Sequence, residues 1–84
     1  MSHEKFIMMC EQIVRERIEK PYGLNPVPSY DVFVVWSCKT LQNSKAILSA
    51  SIKGAPLFEI TMNGDKQEIY VDTYVKKSNE HLNI

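Results

Sequence analysis

Three prolines and a glycine fall within the nine residues Pro21-Tyr22-Gly23-Leu24-Asn25-Pro26-Val27-Pro28-Ser29. Neither a helix nor a strand ladder survives that density. Proline fixes φ and lacks an amide hydrogen, and the residue before it is pushed out of the α region. The chain is therefore cut here into two parts, and their hydrophobic periods differ. Before the cut, Phe6, Met9, Cys10, Ile13 and Arg17 recur at helical spacing, and Ile7, Val14 and Ile18 widen the stripe. After Asp31 the period becomes two.

This pattern predicts a helix over 3–19, with Ser2 positioned to accept a hydrogen bond from a first-turn amide. A loop follows over 20–30. Strands are predicted over 31–40, 45–53, 57–62 and 67–76, and 77–84 reads as a frayed tail. Connections this short join neighbouring strands antiparallel. The expected fold is α+β, a single domain over 1–84: an N-terminal amphipathic helix packed on one face of a four-stranded antiparallel β-meander. At 84 residues the chain buries only about 60–65% of its unfolded surface, which leaves no room for a large internal cleft.

A register can be argued from the turns. A turn at Gln42-Asn43-Ser44 sets Trp36 against Ala50 and Cys38 against Leu48. A loop at Gly54-Ala55-Pro56 sets Ile52 against Phe58 and Leu48 against Met62. For the Asn63-Gly64 turn, a four-residue loop sets Ile60 against Ile69. That is preferable to a two-residue loop, which would set Glu59 against Glu68. The expected core face is Val32, Val34, Trp36 and Cys38; Ala46, Leu48, Ala50 and Ile52; Phe58, Ile60 and Met62; and Ile69, Val71 and Val75. Cys10 and Cys38 then read as buried free thiols.

One helix covers one face. The other is expected to carry Phe33, Val35, Ile47, Leu57, Tyr70 and Tyr74, which reads either as a partner surface or as an ordinary half-polar sheet face with scattered apolar residues. Its charges divide. Lys39, Lys45 and Lys53 fall on the first two strands, and Glu59, Glu68 and Asp72 on the last two. A two-fold copy could set one half on the other, so a homodimer is one form of association this reading allows. The first strand is also an edge, reading Val-Phe-Val-Val-Trp with no charge or proline. Such an edge calls for cover by the proline-rich loop, or for pairing with a second copy or a partner strand. The expected partner surface is Phe33, Val35, Lys39, Lys45, Ile47, Leu57, Tyr70 and Tyr74.

The chemistry is sparse. His3 and His81 stand near opposite ends, and no Cys or His pair has zinc-ligand spacing. Gly23, Gly54 and Gly64 form no phosphate loop. Glu59, Glu68 and Asp72 read as a solvated acidic patch rather than a catalytic or metal site. No catalytic centre, cofactor, metal or small-molecule ligand is expected. Ten basic residues balance ten acidic ones, which argues against a general nucleic-acid binder. The alternative of weak nucleic-acid binding would rest on Lys39, Lys45, Lys53 and the tyrosines. No apolar run approaches a membrane span, and Met-Ser-His-Glu-Lys is not a secretory leader, so the expected setting is a reducing cytoplasm.

The run Val34-Val35-Trp36-Ser37-Cys38-Lys39-Thr40-Leu41-Gln42-Asn43-Ser44-Lys45-Ala46 resembles a family of small uncharacterised phage and prophage proteins from Gram-positive bacteria. The stretch Met62-Asn63-Gly64-Asp65-Lys66-Gln67-Glu68-Ile69-Tyr70, with Asp72 and Tyr74, is similar to the same family. The resemblance covers about 31–76, and the helix matches only in length and amphipathic character. It implies a phage-encoded protein acting in a bacterial host's cytoplasm. It implies no activity and carries no catalytic residue. The expected function is non-enzymatic: binding a host or phage protein through the exposed sheet face or the first-strand edge.

Overall fold

The computed structural model describes residues 1–84. Helix α1 spans His3–Glu19, and the strands are β1 Val32–Thr40, β2 Asn43–Ala50, β3 Leu57–Asn63 and β4 Glu68–Tyr74. The strands form one antiparallel sheet in sequence order, with α1 against β2 and β1 on one face. This is the α+β architecture that the two hydrophobic periods predict.

Ser2 caps α1: its Oγ accepts from the Lys5 amide at 3.2 Å. Glu4 in the first turn and Arg17 in the last complement the helix dipole. The chain tightens into a 3-10 turn at Lys20–Tyr22, then turns at Gly23, whose φ of 59° suits glycine. Phe6, Cys10, Val14 and Ile18 are buried, and Met9 and Ile13 pack beside them. Opposite lie Ala46, Leu48 and Ala50 of β2 and Phe58, Ile60 and Met62 of β3, all buried. The alanines let the helix approach β2 closely.

The turns differ from those expected. The first is the two-residue Leu41-Gln42, with Leu41 at φ 54°, so Asn43 and Ser44 already belong to β2. Leu48 pairs with Phe58, and Ile60 with Val71. Both registers are displaced from the expected ones by an even number of residues, so every side chain of β2, β3 and β4 keeps its face. Two of the turns lock together. The Asn43 Oδ1 accepts from the Gly64 amide at 3.2 Å, and a Cβ on Gly64 would lie 2.0 Å from the Gln42 carbonyl oxygen. Gly64 is needed for this close approach and not for its φ. Asn63 Oδ1 closes the second turn by accepting from the amides of Asp65 and Lys66.

β1 overturns part of the expected core. Val34 pairs with Leu48, but Trp36 pairs with Ile47, leaving Val35 as an extra residue in a bulge. A single inserted residue reverses the alternation beyond it. Trp36 and Cys38, expected inside, lie on the outer face with Ile47 and Lys45, and both are exposed. Ser37 and Lys39 turn to the helix side instead. The Ser37 Oγ lies 3.1 Å from His3 Nε2, and Lys39 Nζ donates to the Met1 carbonyl at 3.3 Å. Val34 is also exposed, since the helix does not reach over the edge there. Val75, expected in the core, follows the end of β4 and is exposed; Ile52 lies beyond β2 and is half-buried.

The proline-rich loop does not cover β1: every β1 residue after Val32 is exposed. Tyr30, at its end, packs against the core and donates its hydroxyl to Glu19, with the Arg15 guanidinium 5.6 Å from its ring. The edge is protected by the bulge itself, which twists the strand and interrupts a flat ladder.

Candidate outer-face binding site

The face away from the helix is assembled by strand alternation. At one end Phe33 stands opposite Ser49, and Leu57 opposite Tyr74. Across the middle run Trp36, Ile47, Glu59 and Asp72, each the partner of the next. The row beyond holds Cys38, Lys45, Thr61 and Tyr70. Phe33, Trp36, Leu57, Tyr70 and Tyr74 are each between 44% and 53% exposed, and Val35 projects from the bulge at 55%. Six large apolar or aromatic side chains thus stand exposed together on one side of a small sheet.

Of the expected surface, the sheet brings together Phe33, Val35, Lys45, Ile47, Leu57, Tyr70 and Tyr74. It does not bring Lys39, which the bulge carries to the helix side. Trp36 and Cys38 join the face instead. The signal for them in the sequence was indirect: Val32–Trp36 is apolar at every position, so alternation marks neither face, and only the register of Trp36 on Ile47 decides it.

The electrostatics change with Lys39. Lys53 lies in the Ser51–Pro56 connection rather than on a strand. Lys45 remains, and its Nζ is 3.9 Å from Glu59. The expected division into a basic and an acidic half is therefore replaced by one neutralised pair with Asp72 and Glu68 beyond it. The three lysines of the nucleic-acid alternative are likewise not gathered on one surface. The two tyrosines are tied to this acidic side. Tyr70 donates its hydroxyl to Glu68, and this bond pushes the phenol's pKa up. Tyr74 donates to Glu59 at 3.3 Å, and the Glu59 charge raises its pKa.

The two cysteines stand in opposite settings. Cys10 is fully buried, and burial pushes its thiol from 9.0 up to about 12, far from a nucleophile's range. Cys38 is exposed, with its sulfur 3.8 Å from Thr40 Oγ1 and with Lys45 opposite it on β2. A shallow hollow of about 260 Å³ lies between Trp36, Cys38, Lys45 and Thr61, below the usual size of an enclosed ligand pocket. Nowhere do three His, Cys, Asp or Glu side chains converge in a metal-ligand arrangement. No helix is long and apolar enough to cross a membrane.

No curated protein and no solved structure matches the chain significantly. One family model does match it, over residues 7–84, from the second turn of α1 through the segment after β4, and the chain belongs to that family, DUF6275, a family of unknown function.

Proposed function

We propose that this chain is a non-enzymatic binding protein that docks a protein partner on the outer face of its sheet. The observation that carries the reading is the band of exposed Phe33, Trp36, Leu57 and Tyr74 around the half-buried Ile47, left without cover because the only α-helix lies on the other side. A patch on the order of 300–600 Å² is the largest that a typical monomer exposes, and such patches are often functional. Aromatic residues dominate binding hot spots, and this band has four with Tyr70 included.

The charge at the rim favours one kind of partner. With Lys45 set against Glu59, the remaining charges of the face, Asp72 and Glu68, are acidic. A partner whose apolar contact is flanked by Lys or Arg suits this surface. A second copy would set acid against acid. The β1 edge offers a further contact, although the bulge at Val35 limits any added strand to part of its length. The resemblance of 31–76 to phage and prophage proteins supports a setting in a bacterial host's cytoplasm, with a host or phage protein as partner.

The test is capture from lysate with wild type and the Phe33→Glu and Tyr70→Glu variants in parallel, each checked for folding by circular dichroism. A partner retained by wild type and lost by both folded variants supports the reading. A partner retained equally by all three overturns it. Light scattering at high micromolar concentration decides the homodimer form, since a strict monomer removes it.

A further inference from the structure

A second surface, on the helix side of the sheet, is independent of the outer face. α1 lies chiefly over β2 and β1; Ile69 and Val71 of β4 still pack against the core, but the Thr73 end of β4 is exposed. Next to Thr73, the C-terminal end of α1 and the Ser51–Pro56 connection wall in a depression of about 470 Å³. This is within the range of small-molecule sites, roughly 300–1,000 Å³. Its floor is apolar, formed by Ile18, Ile52 and Phe58.

The wall is preformed. The Ala55 amide donates to the Ile52 carbonyl at 3.1 Å, Ser49 Oγ donates to the Pro56 carbonyl at 2.9 Å, and Gly54 turns the chain with φ 80°. Pro21 stiffens the opposite side. A site that is already ordered loses little entropy on binding.

The charged residues at the rim are Arg17 and Lys53, and no carboxylate lines the depression. The single ion pair of the molecule, Lys45 with Glu59, is on the other face, so neither cation has an acidic partner. Arg17 has a role at the helix C-terminus, but Lys53 has no comparable one. Two unpaired cations at the mouth of an apolar hollow fit an anion with an apolar body. We propose that this depression binds a small amphipathic carboxylate, its hydrocarbon part against Ile52, Ala55, Pro56 and Pro21 above the buried Ile18 and Phe58, and its anionic head on Arg17 and Lys53. Charge-assisted bonds from the two cations supply the orientation, and burial of the chain supplies the remaining affinity.

The experiment is an amide NMR titration of the full chain with three probes: sodium octanoate, octyltrimethylammonium chloride and inorganic phosphate. The expected result is saturable movement of the Arg17, Ile18, Ile52–Ala55 and Thr73 amides with octanoate alone. An Arg17→Gln, Lys53→Gln double variant should weaken octanoate binding at least tenfold. Lys53 is an exposed loop residue, so Lys53→Glu serves as a second check on a chain that still folds: it should weaken octanoate and strengthen the cation. Equal movement with the ammonium and carboxylate probes overturns the proposal. So does movement centred on Phe33, Trp36 and Tyr70, or undiminished octanoate binding by both variants.

Discussion

β1 and β2 are neighbours in one sheet, yet their burial is the reverse of their hydropathy. β1 opens with Val-Phe-Val-Val-Trp, and none of its nine residues is buried. β2 reads Asn-Ser-Lys-Ala-Ile-Leu-Ser-Ala, and five of its eight residues are buried. The difference is position. β2 has a strand on each side and the helix above it, so even Ser44 and Ser49 are enclosed. β1 has one neighbour and only the flank of the helix, and its bulge turns Trp36 outward. An apolar run shows that surface needs covering. It does not show that the chain itself supplies the cover, and the gap between the two is where a partner surface arises.

Leu48→Ala should cost about 2–5 kcal/mol, because a fully buried side chain leaves a cavity. Trp36→Ala, which removes a larger side chain, should cost less than about 1.5 kcal/mol, since half of its surface already meets solvent. Urea unfolding of the two variants checks the order; a larger loss for Trp36→Ala would mean that β1 is as well covered as β2. Native tryptophan emission should likewise be that of a partly hydrated indole and accessible to acrylamide.

Gly64→Ala should cost about 1–3 kcal/mol, because its Cβ meets the Gln42 carbonyl and forces the two locked turns apart. It should leave β2's helix-side packing intact, so the loss is expected in thermal stability with little change in far-ultraviolet circular dichroism.

The two cysteines should differ in reactivity in the same way. Iodoacetamide at pH 8 should label Cys38 in the folded protein and Cys10 only on unfolding, as read by mass spectrometry. The Cys10 pKa also makes a pH prediction. The folded state holds this proton more tightly than the unfolded chain does, so the contribution is complete below 9.0 and is lost as pH rises toward about 12. A Cys10→Ala variant should lose less stability over that interval than wild type.

The smallest effect is expected at the β1–β2 turn. Leu41 is exposed and held at φ 54°, where a leucine is strained. Leu41→Asn should raise stability by a few tenths to about 1 kcal/mol, and urea midpoints would show it. A decrease would mean that Leu41 makes a contact its exposure does not reveal.

The helix, the strand count, the meander order and the faces of β2, β3 and β4 were legible in the residues themselves. Two misjudged registers did no harm there, because an even slip returns each side chain to its own face. The outer band was legible in outline for the same reason. Trp36, Cys38 and Lys39 were not, and neither was the depression beside Thr73. A bulge changes parity without changing composition, and Val32–Trp36 contains no polar residue to mark the change.

Local periodicity and proline placement thus determined which elements form and in what order, because those forces act between residues a few positions apart. The tertiary structure alone decided which apolar side chains the elements cover. That depends on where one helix rests across four strands, and a single 17-residue helix seated over β2 and β1 cannot also cover the Thr73 end of β4 or the far side of the sheet.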